Sequence, residues 1–218
     1  MKRYFKSEYY YIKSNWMNIG LFVLYFIILA IIRMKLQEEY FLVVYQMSVL
    51  IFFMTCMLKM MIYFSNMIEK QTIRYYFEYL PRRTTVLFSV YIKYLLIYIL
   101  VHFLFYLMYL PFFNDEYVLS LYIHFLIYAF HSIIGMFIIV LCKSTGKSIG
   151  IYFLVAVIGS DLLNMALYQN PILPYQPFYY LSPNIFIRVD RLYLKILPFV
   201  YIVLVASLTT YMFKKKEY

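Results

Sequence analysis

Tyr117-Val118-Leu119-Ser120-Leu121-Tyr122-Ile123-His124-Phe125-Leu126-Ile127-Tyr128-Ala129-Phe130-His131-Ser132-Ile133-Ile134-Gly135-Met136-Phe137-Ile138-Ile139-Val140-Leu141 contains no Asp, Glu, Lys or Arg. A helix needs about 20 mostly apolar residues to cross a bilayer, and this run exceeds that. Working outward, five further runs have the same character: 16–32, 41–64, 86–110, 148–168 and 192–213. Composition agrees. The chain is 65% hydrophobic and 14% charged, against about 45–50% and ~25% in a soluble domain. The reading is an all-α integral membrane protein of six transmembrane helices, one domain over 1–218. Such a composition excludes a disordered chain, a disulfide scaffold and an ordinary soluble enzyme. The run at 16–32 is too long for a signal-peptide core and is followed by Arg33-Met34-Lys35, so it is read as a retained span.

The 20 Lys and Arg residues set the expected orientation. Thirteen fall on one side: Lys2, Arg3, Lys6 and Lys13; Lys70, Arg74, Arg82 and Arg83; Lys143 and Lys147; and Lys214, Lys215 and Lys216. Five fall on the other: Arg33, Lys35, Arg188, Arg191 and Lys195. Lys59 and Lys93 lie within spans, near the more basic side, where their stems can snorkel to water. The positive-inside rule then puts both termini in the cytoplasm. The net charge of +10 is thus an orientation signal rather than a nucleic-acid surface. Asn114-Asp115-Glu116 is a fitting start for the fourth span. Ser144-Thr145-Gly146 reads as the turn before the fifth, and Pro198 as a kink inside the sixth.

Three stretches outside the spans carry pattern. Residues 1–15 interleave Tyr4, Phe5, Tyr9, Tyr10 and Tyr11 with Lys2, Arg3, Lys6 and Lys13, which reads as an interfacial helix on the inner leaflet, Lys facing anionic lipid. Residues 65–85 form the longest cytoplasmic connection. Ile73, Phe77 and Leu80 recur at helical spacing there and Pro81 ends the helix. That stripe either folds back on the chain's own spans or docks into a groove on a cytoplasmic partner. Residues 169–191 hold Pro171, Pro174, Pro177 and Pro183 amid apolar residues. Short pieces tucked against the bundle are expected rather than a spanning helix or a free loop.

Catalytic signatures do not occur. There is no Gly-rich phosphate loop, no His-Glu-x-x-His and no Gly-x-Ser-x-Gly. Glu38-Glu39 is followed by Val43 where an abortive-infection-type intramembrane protease wants Arg. His124 and His131 share a face of one span but lie about 10 Å apart along it. They cannot chelate one metal alone, though His102 can approach either, and no metal site is expected. Asp161 is the one carboxylate well inside a span, with Asn164 a turn away. Such a group costs about 2.5–3.5 kcal/mol at the bilayer centre, so it faces the bundle or water. A structural polar contact is the first reading of Asp161, Asn164, His124 and His131, and lining of a translocation path the second.

The layout resembles the membrane subunit of ATP-binding-cassette transporters of the type-2 permease (exporter) family. The stretches that carry the resemblance are the basic aromatic segment before the first span, Glu69-Lys70-Gln71-Thr72, Leu80-Pro81-Arg82-Arg83, Lys93, and Leu181-Ser182-Pro183 before the last span. Gln71 stands where the family usually has Gly, and no hydroxyl residue follows Pro81 until Thr84. The resemblance implies an elbow helix at the N-terminus and a coupling helix between the second and third spans. Glu69, Thr72, Ile73, Arg74, Phe77, Glu78, Leu80, Pro81, Arg82 and Arg83 would contact an ATPase. Two copies of that cytoplasmic ATPase, holding the ATP and Mg²⁺, would serve this chain and a second six-span permease, the same or homologous. This chain would bind no cofactor and be no enzyme itself. The 28 Tyr, 21 Phe and 13 Met suit a hydrophobic or amphipathic cargo. The expected function is export of a hydrophobic compound or antimicrobial-type peptide across the plasma membrane of a Gram-positive bacterium. Competing readings are a non-transporting immunity or assembly protein and the substrate-capturing subunit of an importer. The latter wants an Ala-x-x-x-Ala face on the first span, which has only Ala30.

Overall fold

The structure, a computed structural model, describes Ile27 and residues 38–79, 82–109, 116–166, 177–181 and 196–216. The expected interfacial segment 1–15 and all of the first span except Ile27 lie outside them, as do Leu80 and Pro81. From residue 38 onward the described residues form, in order, α1 (Glu38–Glu69), α2 (Ile73–Tyr79), α3 (Arg83–Tyr109), α4 (Glu116–Cys142), α5 (Thr145–Ala166) and α6 (Leu197–Lys215). A 3-10 turn, Pro177–Leu181, lies between α5 and α6. No strand occurs among the described residues. Five of these helices, all but α2, are long and apolar enough to cross a membrane. That makes the chain a multi-pass membrane protein by length and composition.

The stretch without charges becomes the centre. α4 packs against α1, α3, α5, α6 and the 3-10 turn. It is buried nearly all round from His124 to Val140, as expected of a helix with no polar face. α1 meets it with Phe53, Met57 and Met61, all fully buried. Gly135 lets the two helices close up: a Cβ there would stand 3.2 Å from Met57 Cε and 3.3 Å from Met61 Cγ. The outer helices carry their apolar residues outward instead. Ile92, Leu96, Leu100 and Phe103 on α3, Leu154, Ile158 and Leu162 on α5, and Phe199, Val203 and Leu204 on α6 are exposed at helical spacing. Apolar stripes of that extent on a folded chain are the surface of a protein solvated by lipid.

Rings fasten the middle. Tyr98 of α3 and Tyr128 of α4 stack with centroids 3.8 Å apart. Phe52 stacks on Tyr98, and Phe53 meets Tyr128 and His131 edge-on at 5.8 and 4.9 Å. Phenols tie backbones across the same seam: the Tyr91 hydroxyl donates to Ala129 O and the Tyr128 hydroxyl to Tyr94 O.

Three boundary shifts and one change of winding alter the sequence reading. α1 continues past Phe64 to Glu69, so the connection after it is shorter. α5 begins at Thr145, and Gly146 lies in its first turn rather than in a loop. The sixth helix begins at Leu197 rather than 192, which puts Pro198 in the first turn. There its missing N–H costs nothing, so it starts the helix rather than kinking it. Within α5, Phe153–Gly159 is a π-helical segment that the apolar pattern did not announce.

Candidate functional site: the basic end of the bundle

Charge gathers at one end of the bundle. The ends of α1, α4 and α6 and the starts of α3 and α5 meet there around α2, bringing Lys70, Arg74, Arg82, Lys143, Lys147, Lys214, Lys215 and Lys216 to one side.

Glu69, the last residue of α1, reaches the first turn of α5. Its Oε2 accepts from Thr145 Oγ1 at 2.6 Å and from Thr145 N at 3.2 Å. The N-cap residue itself, Ser144, makes no side-chain cap bond. A carboxylate from another helix therefore satisfies an orphan N–H and sits at the positive end of the α5 dipole. The opposite pole is treated in kind. Lys216 Nζ donates to Val140 O and Leu141 O, the last carbonyls of α4. Burial, reinforced by the neighbouring Lys143, pulls the Lys216 ammonium below its ordinary range.

Two sharp turns flank these contacts. Gln71 has φ 55° and Lys143 φ 54°, the left-handed region that glycine usually fills after a helix. The chain so turns from α1 into α2, and Thr72 Oγ1 donates back to Met67 O at 3.3 Å.

α2 has two unlike faces. Ile73 is fully buried, and half-buried Phe77 meets buried Phe213 of α6 edge-on at 6.2 Å. Phe213 in turn lies 6.1 Å from Phe64 of α1. The apolar stripe is folded onto the chain's own spans. Arg74, Tyr75 and Glu78 point outward, Tyr75 with 65% of its surface exposed, and Arg82 is exposed as well. Arg83 opens α3. Tyr75 did not figure among the expected contact residues, although it stands about 200° round the helix from Ile73, which the sequence spacing already contains. Lys93 keeps its ammonium 4.5 Å above the Tyr63 ring.

The intramembrane polar residues do not converge on one point. His131, fully buried, shares a 2.6 Å hydrogen bond with Tyr152 through Nδ1. His124 lies beside His102 instead, rings 5.2 Å apart, and His102 Nδ1 is 3.1 Å from the Tyr98 hydroxyl. Asp161 and Asn164 are half-buried in the last turns of α5. Asn164 Oδ1 has no hydrogen-bond partner among the described residues. No group of three or more His, Cys, Asp or Glu able to hold a metal forms among the described residues.

Compared with protein-family models, with curated proteins and with solved structures, the chain has no match. The functional reading therefore rests on the sequence pattern and on this geometry.

Proposed function

We propose that the chain is the membrane-spanning subunit of an ATP-driven exporter. In this reading it has six spans and an N-terminal elbow helix, with both termini and the basic end in the cytoplasm. Two such subunits pair in the plasma membrane around a path for a hydrophobic compound or an amphipathic, antimicrobial-type peptide. A separate cytoplasmic ATPase, in two copies, supplies the energy, and this chain hydrolyses nothing. The observation that carries the reading is α2: a short helix outside the apolar spans, braced inward on α6 through Phe77 and Phe213, with Arg74, Tyr75 and Glu78 presented outward. A strut of that form can pass a push from a docked protein into the spans behind it. Glu69 and Thr72, grouped with the docking residues by resemblance, serve here to hold the strut's base. Glu69 ties α1 to α5, and Thr72 closes the turn into α2.

The test is recovery of the tagged chain from its native cells in mild detergent, read by native mass spectrometry. The expected particle holds two copies of a six-span permease and two soluble ATPase chains. Recovery of the chain alone, or only with itself, under conditions that keep a known transporter together would overturn the proposal.

A further inference from the structure

α5 changes its winding in mid-course. Thr145–Tyr152 is α-helical, Phe153–Gly159 is π-helical and Ser160–Ala166 is α-helical again. The buried residues of α5 are Ser148, Tyr152, Ala156 and Ser160, one every fourth position. On a plain α-helix such a set drifts by about 40° per step. The wider i→i+5 turns of the π segment wind back against that drift, and the set stays on the bundle side.

Two residues permit the wide turn. At Gly159 a Cβ would stand 2.9 Å from Leu154 O, the carbonyl five residues back. Any other residue forces the backbone to shift there. Ser160 Oγ donates to Ala156 O at 2.7 Å and lies 3.1 Å from Val157 O, bracing the chain where the π segment ends. The halves on either side are held unequally. The first is fixed by Glu69 on Thr145 and by His131 on Tyr152. In the second, Ser160 alone is fully buried, and its main neighbours are the π segment and the Pro177–Leu181 turn.

We propose that Phe153–Gly159 is a register switch. When its i→i+5 ring tightens to i→i+4, Ser160–Ala166 turns by one residue, about 100°, while Thr145–Tyr152 stays in place. The turn carries Asp161 and Asn164 to a new face and displaces the Pro177–Leu181 turn packed on that segment. This inference does not depend on the exporter reading.

Double electron–electron resonance on the full chain in phosphatidylglycerol-containing nanodiscs tests it. Spin labels go on Leu162→Cys (61% exposed) and Leu204→Cys (60% exposed), with Cys56→Ala and Cys142→Ser removing the native thiols. A side chain ~5 Å from the helix axis turned through ~100° moves by about 8 Å. The native sequence is expected to give two distances differing by up to that amount. Gly159→Ala should leave only the minor one. Deleting Val157, which removes the extra residue and keeps the outer register, should leave only the major one. A single distance in the native sequence overturns the proposal, as does a pair that persists unchanged in both variants. If Gly159→Ala fails to fold, the native sequence and the deletion decide by the same criteria.

Discussion

In the middle of the bundle α1, α3 and α4 are held by rings; at the basic end the helices are held by charges placed on helix termini. Phe53, Tyr98, Tyr128 and His131 meet side chain to side chain over a short distance through fully buried space. Glu69 and Lys216 instead grip backbone groups at the start of α5 and the end of α4, on the exposed rim. The first plan rests on close ring packing in buried space, with the few polar groups there mostly hydrogen-bonded to one another or to backbone. The second is directional, and water and salt weaken it. α2 belongs to both, with Ile73 buried like a core residue and Tyr75 exposed. The molecule thus has a ring-packed middle and a basic end held through helix termini, which is the contrast the proposed role of α2 draws on.

The largest break in this contrast comes from the middle. Phe53→Ala removes the ring that touches Tyr98, Tyr128 and His131 at once. It is expected to cost about 3–5 kcal/mol, read as a lowered unfolding midpoint in mixed micelles. A loss below 1 kcal/mol would mean that the ring cluster does not hold the helices. Next, Gln71→Gly relieves a left-handed residue. It should stabilise the protein by about 0.5–1 kcal/mol and slow amide exchange in α2.

At the rim, Glu69→Ala should leave the overall midpoint nearly unchanged while amide exchange speeds up at Thr145 and the residues just after it. The effect should shrink when the same pair is compared in high salt. Equal exchange in both proteins would remove the inter-helix cap from the account. The smallest effect on the fold is expected at the outward face. Tyr75→Asp should shift stability by no more than about 0.5 kcal/mol while, on the proposed exporter reading, abolishing recovery of an ATPase. Export continuing unchanged in that variant would refute docking through this face.

Five spans were legible because an apolar run of fixed length has few alternatives; that the charge-free α4 lies at the centre came only with the packing. That His102 nears a histidine of α4 was legible, but either His124 or His131 was open until the rings of His102 and His124 were seen 5.2 Å apart. The fold of α2 was half legible: Ile73 and Phe77 defined a stripe, but two homes for it were open until Phe213, far along the chain, was seen to cover it. Glu69 capping Thr145 was not legible, because the partners are 76 residues apart and neither has a local signature for the other. The π segment escaped because Phe153 to Ile158 is uniformly apolar, so no face marks a change of winding; Gly159-Ser160 was its one trace. Pro198 was misread by a few residues of boundary, which turned a helix start into a kink.

The central claim is that α2 faces its own bundle on one side and a partner on the other. Photo-crosslinking in native cells tests it most directly, with a benzophenone amino acid placed at position 75 or position 77. The account predicts that position 75 captures a soluble ATPase chain, whereas position 77 captures only this chain's own helices. Capture of the ATPase from 77 and not from 75, or of no second protein from either, would contradict it.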